Sequence, residues 1–128
     1  MERTVLVGGS IDWANCDGHR KALSTHEYGD GTIDPGGYLN LASFELDGML
    51  PVWRFEIGEI VVERRVWMPL GRNMTWVSFG LVRGGRQVEL DFTPLVTWRD
   101  FHTLMTTSEA PEVEAAGGGL AVGWGGNR

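Results

Sequence analysis

Between residues 52 and 96 the sequence repeatedly alternates apolar and polar side chains over short segments that end at glycine or proline. In the first segment Trp53, Phe55 and Ile57 are separated by single polar residues. A period of two places these three side chains on one face only if the backbone is extended. Gly58-Glu59 then supplies a two-residue turn with Gly in its first position, which is typical of a type II′ β-hairpin. The region is therefore predicted to be β-structure.

Further strands are predicted on both sides of this hairpin. They are Tyr38 to Leu46, with a bulge between Leu41 and Phe44; Ile60 to Met68; Met74 to Val82, with Val77, Phe79 and Leu81 on one side; and a strand ending at Val96, with Val88, Leu90 and Phe92 inward. Turns spaced by about 8–12 residues are typical of sandwiches and barrels. The predicted fold class is all-β, an antiparallel β-sandwich of the supersandwich kind, with Trp53 and Trp76 in its core.

The two ends of the chain are patterned differently. Arg3 to Val7 is predicted to be a short strand, Gly8-Gly9-Ser10 a turn, and Ser24 to Gly37 a long loop, because that loop is rich in Gly, Asp and Thr. After Met105 the pattern weakens, although Glu112 to Ala116 and Leu120 to Trp124 are able to pair as a hairpin around three glycines. Residues 1–128 are predicted to form a single β-sandwich domain, with 106–128 as a weakly patterned tail.

Charge and composition exclude several classes of function. The formal net charge is −6, and a general nucleic-acid binder carries a basic surface instead, so no nucleic-acid partner is expected. The single Cys16 cannot form an internal disulfide, which favours a reducing compartment. The sequence has neither an apolar run long enough to span a membrane nor a signal peptide. We therefore expect a cytoplasmic protein with no membrane partner.

Catalytic and metal-binding patterns are weak. His19, His26 and His102 lack the close spacing of zinc ligands, so neither a metal nor another cofactor is expected. Cys16 is placed in a polar turn without a nucleophilic context, and there is no Gly-x-Ser-x-Gly sequence. A pair of carboxylates can hydrolyse a glycosidic bond, but sequence alone cannot place two acids at the required separation. A solvated face is the default role of these acids, and no catalytic residue is predicted.

Aromatic side chains offer a more specific hypothesis. Sugar rings present C–H faces that stack on aromatic rings, while nearby polar groups bind their hydroxyls. Tyr28, Tyr38 and Trp98 lie at predicted junctions of loops and strands, which makes them candidates for binding a substrate. The alternative for each ring is burial in the core, where large aromatic side chains are mostly found.

One short motif combines several such groups. Trp98-Arg99-Asp100-Phe101-His102 directly follows a predicted strand and includes a fork-shaped donor, an acceptor and an imidazole. Because an arginine offers several donors at once, Arg99, Asp100 and His102 suit a hydroxyl-rich ligand or an interface with another domain. The alternative is an Arg–Asp pair that holds a loop in place.

Several segments, in the same order, resemble the N-terminal domain of bacterial and archaeal glycogen-debranching enzymes of the amylo-α-1,6-glucosidase family. They are Leu23 to Tyr28, Gly31 to Tyr38, Leu41 to Phe44, Pro51 to Phe55, Val62 to Met68, and Leu95 to His102. The resemblance covers about residues 3 to 105.

The resemblance implies a β-sandwich that precedes a helical barrel, which hydrolyses α-1,6-linked glucose at glycogen branch points. It places the general acid and base in that barrel, so no catalytic residue carries over to this chain. The implied partners are an α-glucan, either glycogen or a malto-oligosaccharide, and the barrel itself. Family members begin upstream and extend several hundred residues further, so we expect a fragment truncated at both ends, with an incomplete sandwich.

Three functions remain in competition, and an independent enzyme ranks behind them because no catalytic constellation is visible. The first is a non-catalytic sandwich that supports the debranching barrel, with Trp98, Arg99, Asp100, His102, Tyr28 and Tyr38 at the substrate or at the domain interface. The second is a free-standing α-glucan-binding module, and the third is a structural or interaction domain without a sugar role. Glycogen binding by the chain favours the second, whereas an exposed apolar sheet face favours the third.

Overall fold

A computed structural model describes residues 4–85, 87–104 and 110–125, which form β-strands and one 3-10 helix. The elements are β1 (Thr4–Cys16), β2 (His19–Ala22), β3 (Thr25–Glu27), β4 (Ile33–Gly36), the 3-10 helix (Gly37–Asn40), β5 (Leu41–Asp47), β6 (Leu50–Ile57), β7 (Ile60–Trp67), β8 (Trp76–Arg83), β9 (Glu89–Asp100), β10 (Glu112–Ala116) and β11 (Gly119–Gly123). The predicted all-β class with antiparallel sheets is confirmed.

The chain divides into two compact units. The larger comprises residues 11–93, and the smaller comprises residues 1–10 together with 94–128. Strands β1 and β9 contribute residues to both units. The sheets have the strand orders β2-β1-β9, β3-β4, β5-β6-β7-β8 and β10-β11. That residues 1–128 form a single domain stays a prediction.

The four-stranded sheet of the larger unit is the predicted meander. Strands β6 and β7 pair from Val52 opposite Arg65 to Ile57 opposite Ile60, so Gly58 and Glu59 form the predicted two-residue connection. The φ of Gly58 is +63°, a value that the first position of a type II′ turn requires and that glycine adopts at little cost. The predicted hairpin is confirmed.

The core of the larger unit lies between this sheet and β1. Within β1 the buried residues alternate, with Asp12, Ala14 and Cys16 buried and the residues between them half-buried. The buried cluster consists of Ala14, Cys16, Leu23, Phe55, Ile57, Ile60 and Val62, with Trp53, Phe79 and Val88 packed against it. Cys16 ends β1 and is 6% exposed, so its predicted place in a polar turn was wrong.

Two aromatic side chains depart from the predicted inward pattern. Trp76 is 50% exposed, so its predicted place in the core was wrong. Phe79 lies opposite Arg64 and packs against the core, and strand alternation therefore turns Trp76 toward the other face. Phe92 remains 45% exposed, although its ring lies edge-on to that of Phe79 with centroids 6.3 Å apart.

The predicted long loop from Ser24 to Gly37 was also wrong. Its two ends form the β3–β4 hairpin, with Thr25 opposite Gly36 and Glu27 opposite Ile33. The peptide bond before Pro35 is cis. The side chains of this hairpin are largely exposed, and polar residues at such positions carry a weak strand signal.

Gly37 packs directly on the backbone that precedes β3. A Cβ atom at this position would lie 2.6 Å from the carbonyl carbon of Leu23 and closer still to the carbonyl oxygen of Ser24. The N–H of Gly37 donates a hydrogen bond of 3.0 Å to that oxygen. Only glycine fits this contact without a backbone shift.

The strand predicted from Tyr38 to Leu46 begins later than expected. Residues 37–40 form the 3-10 helix, in which the N–H of Leu41 bonds to the carbonyl of Tyr38. The register of β5 against β6 shifts between Leu41 and Ser43, which confirms the predicted bulge. The early part of the prediction failed because the backbone of Tyr38 is held in a turn, with its N–H on Thr25 Oγ1 at 2.8 Å.

In the smaller unit, β1 runs through Gly8-Gly9-Ser10, so the turn predicted there was wrong. These residues are extended beside β9, the neighbour of β1 in its sheet, and the Cβ position of Gly8 lies 3.9 Å from the carbonyl oxygen of Leu95. Strands β10 and β11 pair from Glu112 opposite Gly123 to Ala116 opposite Gly119, which confirms the predicted hairpin. Within the described ranges, no helix is long and apolar enough to cross a membrane.

Candidate functional site

The Trp98–His102 motif forms the end of β9 and the turn that follows it. Residues 98–100 belong to the strand and residues 101–103 to the turn, so the motif does not begin after the strand, as the sequence had suggested. Arg99 Nη1 donates to the carbonyl oxygens of Thr103, Asp100 and Phe101, at 2.7, 3.4 and 3.4 Å. The guanidinium of Arg99 therefore holds its own turn through backbone carbonyls.

Asp100 has a similar local role. Its carboxylate accepts a hydrogen bond of 2.9 Å from the N–H of His102. Its carbonyl accepts from both the N–H and the hydroxyl of Thr103, at 3.1 and 3.2 Å. The alternative of an Arg–Asp pair that holds a loop in place is thus met only in part. Both residues hold the turn, but through separate hydrogen bonds, and those of Arg99 go to carbonyl oxygens rather than to the Asp100 carboxylate.

This turn presents aromatic groups in the smaller unit. Trp98 is 43% exposed and its ring centroid lies 6.3 Å from that of Trp124, at an angle of 42°. The buried Nε1 of Trp124 has no hydrogen-bond partner among the described residues. The rings of Phe101 and His102 lie 3.6 Å apart, and both residues are exposed. A fixed turn with exposed rings is able to contact a sugar or a neighbouring protein surface.

Tyr28 and Tyr38 lie in the larger unit and are 50% and 52% exposed. Tyr28 opens a tight turn in which its N–H donates to the carbonyl of Thr32 at 2.8 Å. The N–H and hydroxyl of Thr32 both hydrogen-bond the Asp30 carboxylate and hold its pKa below the ordinary value. The structure therefore places the predicted site residues in two groups, with Trp98, Arg99, Asp100 and His102 in one unit and the two tyrosines in the other.

A pair of tryptophans outside the predicted site residues lies on the outer face of the four-stranded sheet. Trp67 and Trp76 are direct cross-strand partners, and their rings are parallel to within 8° with centroids 6.1 Å apart. The signal was present in the sequence, because the prediction that Val77, Phe79 and Leu81 share one side of the strand puts Trp76 on the opposite face.

The same outer face carries a network of ion pairs. Arg54 binds Glu45 and Glu63 at 2.6 and 3.0 Å, and Arg65 binds Glu63 and Asp47 at 2.7 and 2.9 Å. The hydrogen bond from Arg65, followed by that from Arg54, lowers the pKa of Glu63, although burial opposes this shift. The bond to Glu63 is in turn the main cause that raises the pKa of each arginine. The network fixes these side chains as an ordered polar surface.

A cavity of about 380 Å³ lies elsewhere in the larger unit. Its floor is apolar, with Cys16, Ile57 and Ile60, while Asp17 and His19 lie among the exposed residues of its rim. No Phe, Trp or Tyr side chain lines it within the described part of the chain. Among the same residues, no group of three or more His, Cys, Asp or Glu side chains is arranged to hold a metal ion.

Fold and surface together define an antiparallel β-sandwich protein with exposed aromatic side chains and an ordered polar face. Comparison with protein families gives a more specific result. The family model described as "Glycogen debranching enzyme N terminal" matches residues 1–123, and the chain belongs to this family. No curated protein and no solved structure matched the chain.

Proposed function

We propose that this chain is the non-catalytic N-terminal β-sandwich of a glycogen-debranching enzyme, where it supports hydrolysis of α-1,6 branch linkages by a helical barrel. The observation that carries the proposal is the family match over residues 1–123, on a chain with the antiparallel sandwich class that the family resemblance implies. In such an enzyme the acid and base belong to the barrel, and the sandwich positions the barrel or its substrate.

The turn after β9 is the proposed contact region. Arg99 and Asp100 hold its backbone, and Trp98 and His102 are exposed beside them. A rigid turn presents its aromatic side chains at a low entropic cost of ordering. We infer that Arg99, Asp100 and His102 shape a surface that meets either the glucan or the barrel, in an enzyme that acts in the cytoplasm without nucleic-acid or membrane partners.

A reconstitution experiment tests this role. Glucose release from a branched limit dextrin is measured for the chain alone, for a debranching-enzyme barrel that lacks its own sandwich, and for their mixture. We expect no release by the chain alone and a higher rate for the mixture than for the barrel. Release by the chain alone would contradict the non-catalytic role, and an unchanged rate together with no binding to the barrel would contradict the supporting role.

The Arg99→Ala variant refines the assignment. It is expected to weaken glucan binding or docking to the barrel while the sandwich stays folded by circular dichroism. If neither binding nor docking changes, the turn is not the contact region.

A free-standing α-glucan-binding module is the second candidate, and the exposed rings of Tyr28, Tyr38 and Trp98 favour it. Its signature is retention of the chain on glycogen in the absence of any barrel, with loss of retention when one of these three residues is replaced by alanine.

A further inference from the structure

Trp67 and Trp76 form an exposed aromatic surface with a geometry that differs from that of the other ring pairs. Among the described residues of the larger unit, the ring planes of the other aromatic pairs are inclined to each other. The interplanar angle is 46° for Phe44–Trp53 and 69° for Phe79–Phe92. Trp67 and Trp76 are parallel within 8°. Since stacked carbon atoms lie about 3.5–4 Å apart, a centroid distance of 6.1 Å means that the two rings are displaced sideways.

The displaced stack leaves ring surface available to a ligand. Trp76 is 50% exposed, and its strand β8 is the last in the order of its sheet. The next residues of β8 on the same face are Ser78 and Gly80, since alternate residues of a strand share a face. Their small size leaves a low, flat path along β8 beyond the indole of Trp76.

Ordered polar groups flank this path. Arg65 lies opposite Ser78, one row from the Trp67–Trp76 pair on the same face. Its Nε and Nη1 are held by Glu63 and Asp47, so the guanidinium is fixed beside the tryptophan pair. A half-exposed aromatic face beside fixed donors and a hydroxyl is the combination that binds the C–H face and the hydroxyl groups of a sugar.

From this arrangement we propose that Trp67 and Trp76, with Arg65 and Ser78, bind an α-linked glucan chain. The polar network disfavours two other ligand classes. Three carboxylates, those of Glu45, Asp47 and Glu63, accompany two arginines there, and the chain carries a net charge of −6, so an anionic ligand is repelled. The same charged groups disfavour a lipid or an apolar helix, because covering them with an apolar surface would remove their hydration. The inference rests on the proposed function for the identity of the glucan. It assigns that glucan to a surface that includes none of Trp98, Tyr28 and Tyr38.

The test is affinity electrophoresis of the 128-residue chain in native gels that contain glycogen. Trp76→Ala and Trp76→Phe are compared with Trp98→Ala, which tests the other candidate glucan contact. Phe92→Ala is the neutral control, because it removes a ring of similar exposure, 45%, that belongs to neither candidate contact. Loss of one aromatic stack is expected to weaken the apparent affinity of Trp76→Ala about three- to tenfold. Trp76→Phe should retain most of the affinity, because a smaller ring still stacks. Near-ultraviolet circular dichroism shows that each variant is folded.

Each outcome supports or overturns the proposal. The proposal is supported if glycogen retards folded Trp76→Ala less than the wild type. In the control gel, hydroxyethyl cellulose should not retard the wild type. The proposal is overturned if Trp76→Ala is retarded as strongly as the wild type, or if only Trp98→Ala loses its retardation. Neither outcome affects the reconstitution result of the proposed function. No retardation of the wild type, with self-association abolished by Trp76→Ala, overturns the proposal in favour of a protein-docking surface. Failure of the reconstitution experiment with glycogen retardation intact would instead count against the debranching role alone.

Discussion

Asp12 and Arg64 form an ion pair across the core of the larger unit, with Arg64 Nε 3.5 Å from Asp12 Oδ2. Asp12 lies on the inward face of β1, and Arg64 lies on the inward face of β7. The Asp12 side chain is 1% exposed, whereas that of Arg64 is 20% exposed and has its guanidinium 5.4 Å from the centre of the Trp53 ring. Because no hydrogen bond reaches either carboxylate oxygen among the described residues, the nearby guanidinium is the main compensation for this buried charge.

Replacing Arg64 by Met is therefore expected to destabilise the fold. The change leaves the carboxylate of Asp12 buried without its cation, which costs about 3 kcal/mol. The free energy of unfolding from urea titration measures this loss. Arg72→Met is the matched control, because Arg72 is exposed, and it should change stability by no more than about 0.5 kcal/mol.

A second variant separates loss of charge compensation from loss of packing. In the double variant Asp12→Leu with Arg64→Met, both charges are gone, and its stability should exceed that of Arg64→Met alone. A double variant less stable than the single one would show that the pair stabilises the core beyond charge balance.

Gly37→Ala is expected to destabilise the larger unit by about 2 kcal/mol, because the added methyl overlaps the backbone of Leu23 and Ser24. Gly29→Ala is the matched control, since nothing lies within 4 Å of the Cβ position of Gly29. Thermal unfolding of both variants checks the prediction, and equal melting temperatures would mean that the backbone at Gly37 relaxes freely.

Short-range patterns predicted the parts of the fold that depend on neighbouring residues. The β6–β7 hairpin followed from the alternation of Trp53, Phe55 and Ile57 and from a glycine turn, and the β10–β11 hairpin followed from its glycines. The β3–β4 hairpin was missed because its exposed polar residues carry no alternation. Gly8-Gly9-Ser10 was misread as a turn because its extended form depends on pairing with β9, which lies far away in sequence.

The candidate sites were likewise predictable only where they depend on residues that are close in sequence. The Trp98–His102 motif was located from its composition, but the bonds of Arg99 to three carbonyls depend on how the chain turns after β9. Trp76 was assigned to the core because large aromatic residues are usually buried, although its own strand alternation indicated the outer face. The Asp12–Arg64 pair joins strands from different sheets, and no local pattern predicts such a contact.

Glu63 should make stability depend on pH. Its pKa in the folded state lies below its ordinary value of 4.5 because Arg65 and Arg54 bind the carboxylate. A lowered folded pKa contributes stability that is present above the unfolded pKa and is lost as the pH falls through the folded pKa. The wild type should thus be more stable than Glu63→Gln by about 1 kcal/mol at pH 7, and the difference should shrink below pH 4.5. Urea midpoints of both proteins between neutral and acidic pH measure it, and a constant difference would contradict the prediction.

Arg99→Ala should loosen the turn after β9 without unfolding the sheets. The variant loses the bonds from Nη1 to the carbonyls of Asp100, Phe101 and Thr103, while the bond from the N–H of His102 to the Asp100 carboxylate remains available. Because only local opening is affected, amide hydrogen exchange should accelerate at residues 101–103 and stay unchanged in β6 and β7. Arg83→Ala serves as the control, since Arg83 binds one backbone carbonyl, that of Glu59 at 3.2 Å, in the other unit. Equal exchange at residues 101–103 in the wild type and in Arg99→Ala would mean that Asp100 alone holds the turn, and the contact surface would then depend on that carboxylate.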